Sequence, residues 1–270
     1  MADAKLVQWA QARSLELTPE NRPVVARYLR RARVLRVCGA LVGVLLPTLV
    51  ELVQHGELVI LGFHSDGSAA PFAGPLEAYI GYLLGALAAE LSFARPRDPA
   101  RRTASLVPRE LDDYLPRRLL LAQRALGLAV VLGVLALGLV PYPSSSTTPD
   151  WPGLIGGAAF FGALAVALEL VERWIVRRPQ PFTDPPLVAA DDAIRAQSVH
   201  TLAGAGLALL LLAVSASFAV LAGSDVALST WMWLPALAAF LLSVRACLDI
   251  GQQPWRVRRG IDRRTGAAPA

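Results

Sequence analysis

Every Lys and Arg of this chain is kept to one side of a series of long apolar segments. Six segments, at about 34–54, 73–94, 119–140, 153–174, 200–222 and 232–250, approach the ~20 apolar residues that a helix needs to cross a bilayer core of about 30 Å. The connections 55–72, 141–152 and 223–231 contain no Lys or Arg. All 26 fall in the other connections, the two ends of the chain, or the adjoining turns of the segments. Backbone in lipid must satisfy its own hydrogen bonds, so spans of this length are expected to be helical. Basic residues mark the cytoplasmic side. The expected fold is an all-α membrane protein of six transmembrane helices with both termini in the cytoplasm. It divides into a cytoplasmic segment 1–32, a membrane domain 33–251 and a basic tail 252–270.

A content of 54% apolar residues in 270 fits one membrane domain with short connections. The net charge of +5 raises nucleic acid as a partner. Here, however, the charges flank apolar spans, where they set orientation and attract anionic inner-leaflet lipid. The bilayer and those lipids are the expected partners, along with a further protein or a second copy; nucleic acid is not expected. A single lysine against 25 arginines suggests a GC-rich bacterial genome and hence a plasma membrane. The first thirty residues are polar and the first span is long, so no cleavable leader is expected.

An internal repeat adds to this pattern. A shift of 79 residues brings Glu90 onto Glu169, Asp112 onto Asp191 and Asp113 onto Asp192. Leu87-Ala-Ala-Glu-Leu91 then matches Val166-Ala-Leu-Glu-Leu170, and a further step of 80 reaches Asp249. The spans are therefore expected to form three parallel two-helix hairpins, unlike the inverted repeats of many secondary transporters.

Charges inside the spans are costly and draw attention to their positions. Glu90, Glu169, Glu172 and Asp249 lie near the inner ends of their helices, with Arg36, Arg124 and Arg245 at similar depth. Together they are expected to form an intramembrane charge network, either locking the helices in register or acting as a gate. Arg245 and Asp249 are four apart and suited to pairing on one helix. Glu51 stands apart as an outer-side carboxylate, one turn after Pro47 and without a basic neighbour on that side. Pro47 is expected to leave the carbonyl of Gly43 without its usual donor.

Other features are structural. Residues 3–15 read as a short helix at the membrane surface, with Leu6, Trp9 and Arg13 on one face. Thr18-Pro19 has the form of a helix start, and Pro23 also suits a first turn. Prolines 179, 181, 185 and 186 make the beginning of the 175–199 connection extended. Small residues four apart, Gly39/Gly43, Gly81/Gly85 and Gly153/Gly157, permit close helix contact. Nucleotide-binding, hydrolase and kinase signatures are absent, and His55, Glu57, His64 and Asp66 lack a compact ligand spacing. No enzyme activity, cofactor or metal is expected.

Arg177-Arg178-Pro179-Gln180-Pro181, continuing through Asp191-Asp192-Ala193-Ile194-Arg195, and the Tyr114-Leu115-Pro116-Arg117-Arg118 lead-in resemble multi-pass membrane proteins of high-GC Gram-positive bacteria. That resemblance implies class and location and no activity. The expected role is a non-enzymatic membrane protein, a partner or membrane subunit of a larger assembly. The alternative is a small-solute or proton-coupled transporter.

Overall fold

The computed structural model describes residues 3–55, 73–94, 109–139, 151–179, 184–222 and 229–250. Most of these residues are helical, with no strand among them. The helices are α1 (Asp3–Ala12), α2 (Arg22–His55), α3 (Ala73–Ala94), α4 (Arg117–Ala136), α5 (Trp151–Arg177), α6 (Pro185–Ala222) and α7 (Trp233–Ile250). Short 3-10 turns at Leu111–Asp113 and Ser229–Met232 lead towards α4 and into α7, and another at Leu137–Leu139 extends α4. Among the described residues four stretches, Arg22–Gln54, Arg117–Leu139, Trp151–Arg177 and Pro185–Leu221, are long and apolar enough to cross a membrane. This is an all-helical membrane protein.

The helix ends follow local chemistry. α1 stops where Ser14 takes a left-handed φ of 52°, and Leu15 N–H reaches back to the Ala10 carbonyl at 2.9 Å. That bond closes the last turn, and Leu15 packs in the same buried cluster as Ala10. Thr18 and Asn21 exchange side-chain-to-backbone hydrogen bonds of 3.0 and 3.3 Å. They form a turn, so α2 begins at Arg22 rather than at the expected Thr18-Pro19 start, and Pro23 occupies its first turn. α2 then runs without interruption through residue 33 and through Pro47. The polar run 22–33 and the apolar run after it thus belong to one 34-residue helix.

α6 is the centre of the molecule. It packs against α2, α3, α4, α5 and α7. Leu202, Leu209, Leu210 and Leu212 on it are all fully buried. A helix apolar around its circumference is expected inside a bundle rather than at its edge. The helix starts at Pro185, fifteen residues before the expected span, because Pro at the head of a helix loses no needed hydrogen bond.

The most extensive pairings join chain neighbours: α2 with α3, α6 with α7, and α4 with α5. The α2–α3 seam is made of glycine. A Cβ placed on Gly39 would lie 2.9 Å from the Cα of Gly85, and one on Gly81 would lie 2.9 Å from the Cα of Gly43. Each would sit closer still to a facing carbonyl oxygen, so only hydrogen fits there. Gly157 makes no such close contact, since a Cβ there would meet only a Val134 methyl at 3.5 Å. α6 and α7 are tied by the Ser215 hydroxyl, which donates to the Ala236 carbonyl at 2.6 Å.

Candidate functional site

The polar side chains converge at the end of the bundle formed by the first half of α6. Asp191, Arg195 and Ser198 are spaced four and three apart, which puts them on one helical face. That face meets the C-terminal ends of α3 and α5 and the early turns of α2.

Arg195 is fully buried and is the largest side chain to be so. Its Nη1 donates to the carbonyls of Val176 at 2.9 Å and Arg178 at 2.7 Å, and its Nη2 to that of Pro179 at 3.2 Å. These oxygens come from the last turn of α5 and the residues just after it, where a helix leaves its carbonyls without partners. A cation there also complements the helix dipole. Asp191 holds the guanidinium in place, accepting from Nε at 2.8 Å.

Arg178 bridges two acids, donating to Asp191 Oδ1 and to Glu90 Oε2, each at 3.2 Å. The other Glu90 oxygen accepts from the Tyr28 hydroxyl at 3.0 Å and the Ser198 hydroxyl at 2.6 Å. Two acids and two arginines thus balance in a buried cluster that joins α2, α3, α5 and α6. Removing one member of such a buried pair leaves the other uncompensated, at a cost of about 3–5 kcal/mol.

A second layer surrounds it. Asp192 accepts from the Tyr114 hydroxyl at 3.2 Å and pairs with Arg109 at 3.1 Å, pinning the segment before α4. Burial, and then the Asp192 charge, push the Tyr114 phenol above its ordinary range and keep it a donor. α1 closes the other flank. Trp9 Nε1 donates to Gln197 Oε1 at 3.3 Å, and Arg13 bonds the same oxygen while stacking 4.6 Å over the Trp9 ring. Burial lowers the Arg13 pKa to about 10, so it stays protonated at neutral pH. The face of α1 expected on the membrane surface packs on α2 and α6 through Leu6, Ala10, Val25 and Ala190.

The expected charge network is thereby divided into parts. Glu90 is the member that enters the buried cluster. Arg124 and Glu169 pair across α4 and α5 through two bonds of 3.0 and 2.5 Å, joined by Arg173, but on the outside of the bundle. Glu90 and Glu169, aligned by the repeat, therefore sit in opposite surroundings. Glu172 is completely buried, and neither carboxylate oxygen has a hydrogen-bond partner. Gln123 of α4 stands close enough to act on it, yet outside hydrogen-bond geometry. Arg36 lies beside the α1–α2 contact, and Arg245 is exposed on α7. The side chains of Asp249 and Glu51 lie outside the described residues, as does most of the 55–72 connection.

Arg178, Arg195, Asp191, Ser198 and Tyr28 were not expected in the site. The signal was the 191/195/198 spacing, which has meaning only if residues 185–199 are helical. Taking them as a connection concealed it. Comparison of the chain with protein-family models, with curated proteins and with solved structures returned no match. The reading of the site accordingly rests on its own geometry.

Proposed function

We propose that this chain is a non-catalytic integral membrane protein that acts as a membrane subunit or partner in a larger assembly. In this reading it has six spans arranged as three hairpins, with both termini in the cytoplasm. The pairing of neighbouring helices and the one-sided arginines support that arrangement. One observation carries the functional part: the oxygens of Glu90 and Asp191 are taken up by donors of the chain itself. Charge at the inner end holds helices together, while apolar faces on α2, α5 and α7 stay open to lipid or to a partner.

Extraction from the native membrane in mild detergent tests it. The expected result is a complex of fixed stoichiometry whose mass exceeds that of one chain and survives dilution. A lone chain that supports solute flux in liposomes would overturn it. Labelling of Ser145→Cys, but not Ser105→Cys, from outside intact cells is the expected topology result.

A transporter is the second reading, favoured by Glu172, a buried acid in a candidate span with no hydrogen-bond partner. Intramembrane acids often mark proton or ion paths. On this reading Glu172→Gln abolishes flux in vesicles while the protein stays folded. Glu90→Gln does not discriminate between the readings, because Glu90 is part of the framework.

A further inference from the structure

α1, α2 and α3 enclose a cleft of about 240 Å³ at the level where α2 changes from polar to apolar. Three cations line it, Lys5 from α1 and Arg33 and Arg36 from α2, with Trp9 and Tyr82 as its aromatic walls. None of its lining residues is acidic. Arg36 is the last charged residue of α2 before an uncharged run from 37 to 50. Its Nε is buried and has no hydrogen-bond partner. Its place in one cleft with Trp9 and Leu29 directs the head group back towards the start of α2, as an arginine at the lipid boundary snorkels.

We propose that this cleft binds the phosphodiester headgroup of an anionic phospholipid. A guanidinium presents planar, paired donors that match phosphate oxygens, and Lys5 adds a point charge at the mouth. Trp and Tyr suit the depth at which headgroups lie. Basic pockets between helices on the cytoplasmic side are a recurring form of lipid recognition. The cleft also continues into a track. Val37, Leu41 and Leu45, one turn apart on α2, are 52%, 55% and 61% exposed, and this apolar stripe gives an acyl chain a path below the headgroup. A soluble phosphate compound has the same headgroup chemistry but no use for the stripe. This inference holds whether the chain is a subunit or a transporter.

The test uses the full chain in nanodiscs of phosphatidylcholine with or without phosphatidylglycerol. Lipid retention is read by native mass spectrometry and stability by thermal unfolding. Wild type is expected to retain phosphatidylglycerol selectively and to melt higher in its presence. The pair Lys5→Gln and Arg36→Gln is expected to lower that selectivity about thirtyfold, on the basis of ~1 kcal/mol for each of the two basic residues. Arg30→Gln with Arg31→Gln, exposed residues outside the cleft, removes the same charge and is expected to leave selectivity near wild type. Lys5→Gln alone, on the exposed side of α1, still reports if the double variant fails to fold. Equal losses in the cleft and control variants would reduce the effect to diffuse attraction and overturn the site. Release of the lipid by inorganic phosphate or glycerol 3-phosphate would assign the cleft to a soluble ligand and overturn the lipid.

Discussion

The end of the bundle around the first half of α6 and the α2–α3 hairpin are both tightly packed, by opposite means. Around α6, charged and hydroxyl side chains reach across from four helices, and almost nothing is exposed. Between α2 and α3 no side chain intervenes where Gly39, Gly43, Gly81 and Gly85 meet, and the far face of α2 is open from Val34 to Val53. The first device specifies which helices meet, because each donor needs its own acceptor. The second permits close approach but specifies little, since backbone presents the same surface at every small residue. A hub held by specific bonds with a hairpin laid against it is in keeping with the proposed role of a subunit that offers one face to a partner.

Breaking the hub has the largest expected effect. Arg195→Met strips the α5 carbonyls of their donor and leaves Asp191 short of a partner. A loss of about 3–5 kcal/mol is expected by denaturant unfolding in detergent. A loss below about 1 kcal/mol would remove Arg195 from the framework. Gly81→Val comes next, since overpacking at a close contact costs about 1–3 kcal/mol. It should also increase the distance between spin labels on the exposed residues Val34 and Leu84; an unchanged distance would show that the seam is not glycine-dependent. Tyr28→Phe removes one hydroxyl from Glu90 and is expected to cost about 1 kcal/mol, read as a small drop in melting temperature. Arg124→Ala breaks an ion pair whose arginine is 53% exposed and should cost less than about 1 kcal/mol. A larger loss there would erase the distinction between inner and outer charges.

Much of the helical plan was legible in the sequence, and the reasons are physical. Apolar runs must be helical in lipid, so the segment 73–94 coincides with α3, and those at 153–174 and 232–250 lie within a few residues of α5 and α7. The errors are at polar ends. Hydropathy records where lipid stops, not where a helix stops, so α2 and α6 extend well past their apolar runs. Those extensions contain Tyr28, Asp191, Arg195 and Ser198. Glu90 was found because a charge among apolar residues stands out. Asp191 and Arg195 do not stand out as site residues, because charges among polar residues are common. The repeat pointed to Asp191 and Asp192, but a sequence match cannot tell that Asp112 pairs with the exposed Arg117 while Asp191 is buried between two arginines.

Glu90 and Glu172 give the most direct test of the claim that the buried charge cluster around α6 is framework. Both are fully buried near the ends of their helices, but only Glu90 is surrounded by donors. Thermal unfolding of Glu90→Gln and Glu172→Gln in the same detergent at neutral pH separates them. Glu90→Gln is expected to lose about 1.5–3 kcal/mol, the scale of a hydrogen bond to a charged group. Glu172→Gln is expected to melt at or above the wild-type temperature, because it removes a buried carboxyl that no donor satisfies. Equal melting of Glu90→Gln and wild type, or a greater loss in Glu172→Gln, would contradict the account.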